Sequence, residues 1–234
     1  MGTSYSPRAG VPLLFKYGVE RARRASTVLH NPVGTLGDVN HSHVGLLPLP
    51  FASAVHDLSS FQWDPRIHVS ELDPPTHIAP YAAAIDADIV VDDEEVGTGR
   101  LILLHDPAGN ESWNGEFRCV TFAQADVTAD MIHDPFLAYV GWSWLEDALK
   151  TRGALHTDEC GTITTTASTP FGTKQEERPS SQIEIRASWT PLLDDEHPLT
   201  VHLEAWQELL REIGGIPPED NTVVPLSTKI AARS

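Results

Sequence analysis

The sequence predicts an α+β protein with an antiparallel sheet of about five strands and flanking helices, in the order α-β-β-β-α-β-β-α. Strand-like segments follow one another across short, turn-rich connections, which implies antiparallel pairing. Two later segments carry apolar residues at three- and four-residue spacing, as helices on a sheet do. All six Trp fall after residue 60, so material for a sizeable core is concentrated in the later part of the 234-residue chain.

The first element is a short amphipathic helix, from the helical spacing of Phe51, Val55, Leu58 and Phe61. Asp64-Pro65 ends it, because the residue before proline is pushed out of the helical region. Arg66 to Leu72 alternates as a short strand does, and Asp73-Pro74-Pro75 is a stiff connector. From Pro80 to Val91, Tyr81, Ala83, Ile85, Ala87 and Ile89 share one face, with Asp86 and Asp88 on the other. Asp92 to Glu95 reads as an acidic turn, and Gly99 to His105 is apolar nearly throughout, as a central strand would be. After the turn-rich loop Asp106 to Gly115, Glu116 to Gln124 alternates until Val120 and Phe122 break the phase, which suggests a bulge. These segments form a three-stranded meander.

The second helix starts with Asp134 as N-cap and Pro135 at its first position, and Gly153 stops it. Leu137, Val140, Trp144, Leu145 and Ala148 make its stripe. Gly141 inside it costs about 1 kcal/mol against Ala, a cost consistent with close approach to the sheet. Gly161 to Thr169 is rich in β-branched residues, and Gln182 to Thr190 alternates with Ile183, Ile185, Ala187 and Trp189 inward. The loop Pro170 to Ser181 between them is polar and expected to be mobile. The last helix, from about Pro198 to Ile213, buries Leu199, His202, Leu203, Trp206, Leu210 and Ile213.

Charge divides the chain. Residues 1–47 hold five cations and two carboxylates, whereas residues 48–234 hold eleven cations against 31 carboxylates, a balance of −20. The expected organisation is a disordered basic extension over 1–47, a single α+β domain over 48–218 and a flexible tail over 219–234. The jump in charge and order near Leu47 also suggests that the extension is an artefact of start-site choice. So acidic a body repels phosphate backbones and anionic bilayers, so neither nucleic acid nor membrane is an expected partner. No apolar run reaches the roughly 18 residues needed to span a bilayer. Cys119 and Cys160 form no CxxC pair and read as thiols in a reducing compartment, so the expected location is the cytoplasm.

Candidate chemistry is sparse. His105-Asp106 ends a strand before a long loop that brings Asn110, Glu111 and Trp113 near it, and such loops concentrate binding sites. A hairpin with Asp-Pro turn chemistry explains the same residues, and His105 with Asp106 lacks the third partner that nucleophilic catalysis requires. His156, Asp158, Glu159 and Cys160 are ligand types, but their spacing matches no zinc pattern. Trp142 and Trp144 are two apart and cannot share a helix face: Trp144 fits the buried stripe, leaving Trp142 covered by a loop or exposed as an interface residue. Phosphate loops, dinucleotide fingerprints, nucleophile elbows and HExxH are absent. No catalytic residue, metal site or cofactor is expected.

The segments LLHDPAGNESWNG, GWSWLEDAL and RASWTPL together resemble an actinobacterial family catalogued as domain-of-unknown-function family 3000, over roughly residues 50–216. That resemblance brings no activity and no catalytic residue. The element order is also similar to the fold of type III secretion chaperones, small acidic proteins that bind other polypeptides, often as dimers; no motif of that group is matched. The expectation is a non-enzymatic, cytoplasmic protein-binding or chaperone-like module that recognises a basic protein surface and forms a homodimer. The alternative is an enzyme or small-ligand binder using the His105–Trp113 loop.

Overall fold

The computed structural model describes residues 47–176 and 178–217. The predicted extension, apart from Leu47, and the predicted tail lie outside these residues. Helix α1 (Leu49–Ser60) is followed by β1 (Ile67–Leu72), β2 (Tyr81–Val91), β3 (Glu94–Asn110) and β4 (Gly115–Asp126). A one-turn helix α2 (Ala129–Ile132) precedes α3 (Leu137–Thr151), β5 (His156–Ser168), a 3-10 turn at Gly172–Lys174, β6 (Ser180–Pro191) and α4 (Thr200–Ile213). The six strands form one antiparallel sheet in the order β1-β2-β3-β4-β6-β5. The α+β class is as predicted, with Ile67–Leu72 added to the sheet as a sixth strand.

The local chemistry accounts for the connections. Asp92 and Asp93 both have positive φ, so β2 and β3 are joined by a two-residue turn of the type that matches strand twist, and Glu94-Glu95 already belong to β3. The expected bulge in β4 is not there: Cys119 to Asp126 pairs with β6 in unbroken register. β4 is central, so both of its faces are apolar, and that is what disturbs the alternation in sequence. Register shifts lie instead at Ile89/Val90, between His105 and Asn110, and at Thr157/Cys160. Asp134 does not cap α3 directly. Its Oδ1 accepts the Phe136 N–H at 2.8 Å, one residue before the helix begins at Leu137.

All three long helices pack on one face of the sheet. Phe51 and Leu58 of α1, Leu145 and Leu149 of α3, and Leu203, Trp206 and Leu210 of α4 join Ile85, Leu101, Ala123, Ile185 and Trp189 in a single buried cluster. Each such aliphatic side chain contributes roughly 1.5–3 kcal/mol by leaving water. The polar ends of the two largest core residues are satisfied. Trp206 Nε1 donates to Thr121 Oγ1 at 2.8 Å, and Trp189 Nε1 donates to His202 Nδ1 at 3.2 Å. Glycine sets the helix–sheet distance: a Cβ on Gly99 would fall 2.5 Å from Leu210 Cδ2, and one on Gly141 would fall 2.9 Å from Ile183 Cδ1. Asp64 locks the α1–β1 connection to α4. It takes two hydrogen bonds from the Arg66 guanidinium, faces Arg211 Nη1 at 3.5 Å, and donates its own N–H to Gln207 Oε1. The hydrogen bonds from Arg66 hold its carboxyl below the ordinary aspartate range.

Candidate functional site

Among the described residues the long helices lie on one side of the sheet, and no helix covers its other face. Register fixes what stands there. One row across the strands runs Ser70, Asp86, Arg100, Phe122, Arg186, Thr162, and the next runs Leu72, Ala84, Ile102, Val120, Ser188, Cys160. The face therefore has an apolar centre of Ala84, Ile102, Val120 and Phe122 between polar margins. A second, smaller cluster of Leu104, Trp113 and Val120, joined by Ile78, Ala79, Ala82 and Ile102, contains no residue from any helix.

The arginines on this face are held in place. Arg100 makes a two-pronged pair with Asp86, Nε to Oδ1 at 2.6 Å and Nη2 to Oδ2 at 3.0 Å, and hydrogen bonding to Asp86 raises its pKa further. Arg186 pairs with Glu184 at 3.0 Å and lies 5.8 Å from the centre of the Phe122 ring. Phe122 is thus flanked by two guanidiniums whose charges are already balanced. Arg118 is buried and bonds only neutral groups: the Asp158 carbonyl at 2.8 Å, Thr190 Oγ1 at 2.9 Å, Ser188 Oγ at 2.7 Å and Cys160 Sγ at 3.3 Å. Thr190 Oγ1 in turn donates to the Trp113 carbonyl, and Asn114 Nδ2 donates to Asp158 Oδ1 at 3.2 Å. This network ties the β3–β4 hairpin to the β5–β6 end of the sheet. It also lays Trp113 over the apolar centre.

The residues singled out in the sequence are not gathered into one place. His105 points to the helix side. Its ring stacks 4.2 Å from Phe117 and 5.7 Å from Phe51, and Tyr81 stands 6.0 Å away. It is 1% exposed, neither ring nitrogen has a hydrogen-bond partner, and burial lowers its pKa. Trp113 lies on the opposite face, with Nε1 buried and unpartnered. Asp106 accepts the Ala108 N–H at 3.1 Å and Asn110 accepts the Ser112 N–H at 2.9 Å, so both shape the hairpin. Glu111 is exposed at its tip. Trp142 is half-buried against β5, where a Cβ on Gly161 would come 2.7 Å from its Cζ3.

His156 and Glu159 approach at 3.8 Å, while Cys160 turns to Arg118. Among the described residues no three His, Cys, Asp or Glu side chains stand close enough to hold a metal. An open groove of about 380 Å³ lies on the helix side between α1 and α4, lined by Asp57, Phe61, Arg152 and Glu204, and none of the six sequence candidates lines it. Sequence reasoning missed Arg100, Arg118, Phe122 and Arg186. Their alternation with apolar neighbours was visible, but their juxtaposition depends on cross-strand register.

A protein-family model described as Protein of unknown function (DUF3000) matches residues 47–224. No curated protein and no solved structure matches the chain.

Proposed function

Since the chain belongs to that family, whose description assigns no function, we propose from its own surfaces that it is a non-enzymatic protein-binding module working through the helix-free face of its sheet. The observation that carries this reading is the apolar centre on a face that no helix of the described residues covers, where Ile102 and Phe122 stay partly exposed beside the buried Ala84 and Val120. Apolar patches rimmed by polar residues mark interaction sites on soluble proteins. The matching partner is a polypeptide that presents apolar side chains to this centre and basic ones to the acidic rim at Asp88, Asp92 and Asp93. The net charge of −17 would speed its approach. A chaperone-like use follows if the occupant is an incompletely folded chain. The two free thiols suit a reducing cytoplasm. The enzyme reading has less support, because His105 and Trp113 face opposite sides of the sheet and His105 presents neither nitrogen to solvent.

The test is site-specific photocrosslinking in cells from positions Ile102 and Phe122, with Glu208 on the helix layer as control, followed by titration of the purified partner. Adducts are expected from the two sheet positions and not from the control. Phe122→Asp should weaken binding by about tenfold or more, as loss of a central aromatic anchor does. Equal labelling at all three positions, or unchanged affinity in Phe122→Asp, removes the reading.

A further inference from the structure

An open sheet has two edges, and among the described residues only one is protected. β1 is six residues long, stands between Asp64-Pro65 and Asp73-Pro74-Pro75, and carries His68 and Glu71. Shortness, proline and charge are the usual means of blunting an edge. β5 is the opposite case. It runs thirteen residues, pairs with β6 on one side, and is exposed along nearly all of its length. Its irregularity is confined to Thr157–Cys160, and from Cys160 to Ser168 the strand is regular. Cys160 to Thr169 contains neither a charge nor a proline, and no charge follows until Lys174.

The element beside this edge is uncharged as well. Pro135 to Leu145, the approach to α3 and its first half, contains no Asp, Glu, Lys or Arg. Gly141 rests near Ile163 and Trp142 against Gly161, so this half of α3 lies over β5. Tyr139, three residues before Trp142, lies on the same flank of the helix and is 76% exposed, and Phe136 is 65% exposed. In a chain of net charge −17, these two runs make a charge-free corner with exposed aromatic rings.

We propose that this edge pairs with the same strand of a second copy, antiparallel about a two-fold axis through Thr164, to make one continuous sheet across the dimer. Antiparallel edge pairing is self-complementary, so one surface serves both partners. Centring the uncharged stretch Cys160–Ser168 on itself sets Thr162 opposite the Thr166 position, Ile163 opposite Thr165, Gly161 opposite Ala167, and Thr164 opposite its own copy. No like charges meet at any of these pairs. The charge argument selects the occupant. Two strongly acidic bodies can approach only at an uncharged seam, whereas a basic partner would find no carboxylate between residues 160 and 173. The inference goes beyond the protein-binding reading and concerns a different surface, so either can fail alone.

Light scattering on the full-length protein at tens of micromolar is expected to give about twice 25.6 kDa. Thr164 is exposed, so T164K and T164E should fold as the parent does, as far-UV circular dichroism would report. Each places like charges across the axis and should be monomeric. An equimolar mixture of the two should recover the doubled mass. Hydrogen exchange of the unaltered protein supplies a second measurement, with protection over residues 160–168 that increases with protein concentration. A monomeric parent, a dimer that survives both substitutions, a mixture that stays monomeric, or exchange independent of concentration would each overturn the proposal.

Discussion

His202 shows how one residue couples the core to pH. It is fully buried, and its Nδ1 accepts the Trp189 indole N–H, so the neutral ring carries its proton on Nε2. Burial pushes its pKa down to about 4, from an unfolded value of about 6.5. The folded state therefore refuses a proton that the unfolded state accepts. Stability from this residue is level above about pH 6.5, falls as pH drops from there to about 4, and levels off below. The full loss is about 3 kcal/mol. Asp64 acts in a separate window: its lowered pKa withdraws stability only as pH falls below the ordinary aspartate range. Urea titrations at pH 7.5, 6 and 4.5 should show this decline in the parent. His202→Gln keeps an acceptor for Trp189 but cannot titrate, so its decline should be shallower, the remainder coming partly from His105, whose pKa burial also lowers. Parallel pH profiles for parent and variant would exclude His202 as the source. The sequence disclosed His202 as a core histidine through its place on the apolar stripe of α4, but not its partner, because Trp189 lies thirteen residues away on another element.

At the scale of elements, the contact between α4 and β3 depends on Gly99. Leu210 and Trp206 occupy the space where a side chain would stand, so Gly99→Ala must displace buried atoms. Overpacking of this kind costs about 1–3 kcal/mol. Thermal unfolding of Gly99→Ala should fall by several degrees. Leu210→Ala should destabilise alone but restore part of the loss when combined with Gly99→Ala, giving a non-additive double-mutant cycle. Strict additivity would mean that the two positions do not meet. The elements themselves were largely legible: the alternation of β2 and β6 and the stripe of α4 place the same residues inward as the structure does, whereas on α3 the expected Val140 is exposed and Trp144 half-buried, with Gly141 and Leu149 turned inward beside Leu137, Leu145 and Ala148. The misreadings have physical causes. β4 hid its alternation because a central strand is apolar on both faces. Arg118 gave no signal, since an arginine between Phe117 and Cys119 looks solvent-facing until Ser188 and Thr190 of β6 are brought beside it. The position of Trp142 depended on Gly161, a residue whose significance is the side chain it lacks.

Across the acidic body that follows residue 47, cations are few and what differs from place to place is how well they are matched. On the open sheet face Arg100 and Arg186 are matched by Asp86 and Glu184. On the helix layer Glu204, Glu208 and Glu212 follow one another every four residues along α4, and Arg152 pairs with the first two. Glu212 has its pKa raised by burial and by repulsion from Glu208 and Asp147, although the Arg211 beside it pulls the other way. Salt therefore acts on two opposed terms. It weakens exposed ion pairs, each worth only about 0–1 kcal/mol, and it relieves the self-repulsion of a chain at −17. Among the described residues the two shortest arginine–carboxylate pairs, Arg66–Asp64 and Arg100–Asp86, are also two-pronged and partly buried, and so are screened least. Repulsion should win: raising NaCl from 20 to 500 mM, which shortens the screening length from about 20 Å to about 4 Å, is expected to raise the midpoint of thermal unfolding by a few degrees. Binding of a basic partner should respond in the opposite direction, with association slowing over the same range while dissociation changes little. A midpoint that falls with salt would show that specific ion pairs outweigh net repulsion. An association rate indifferent to salt would show that the partner is not drawn in by the acidic body, leaving the apolar centre around Ile102 and Phe122 to provide recognition unaided.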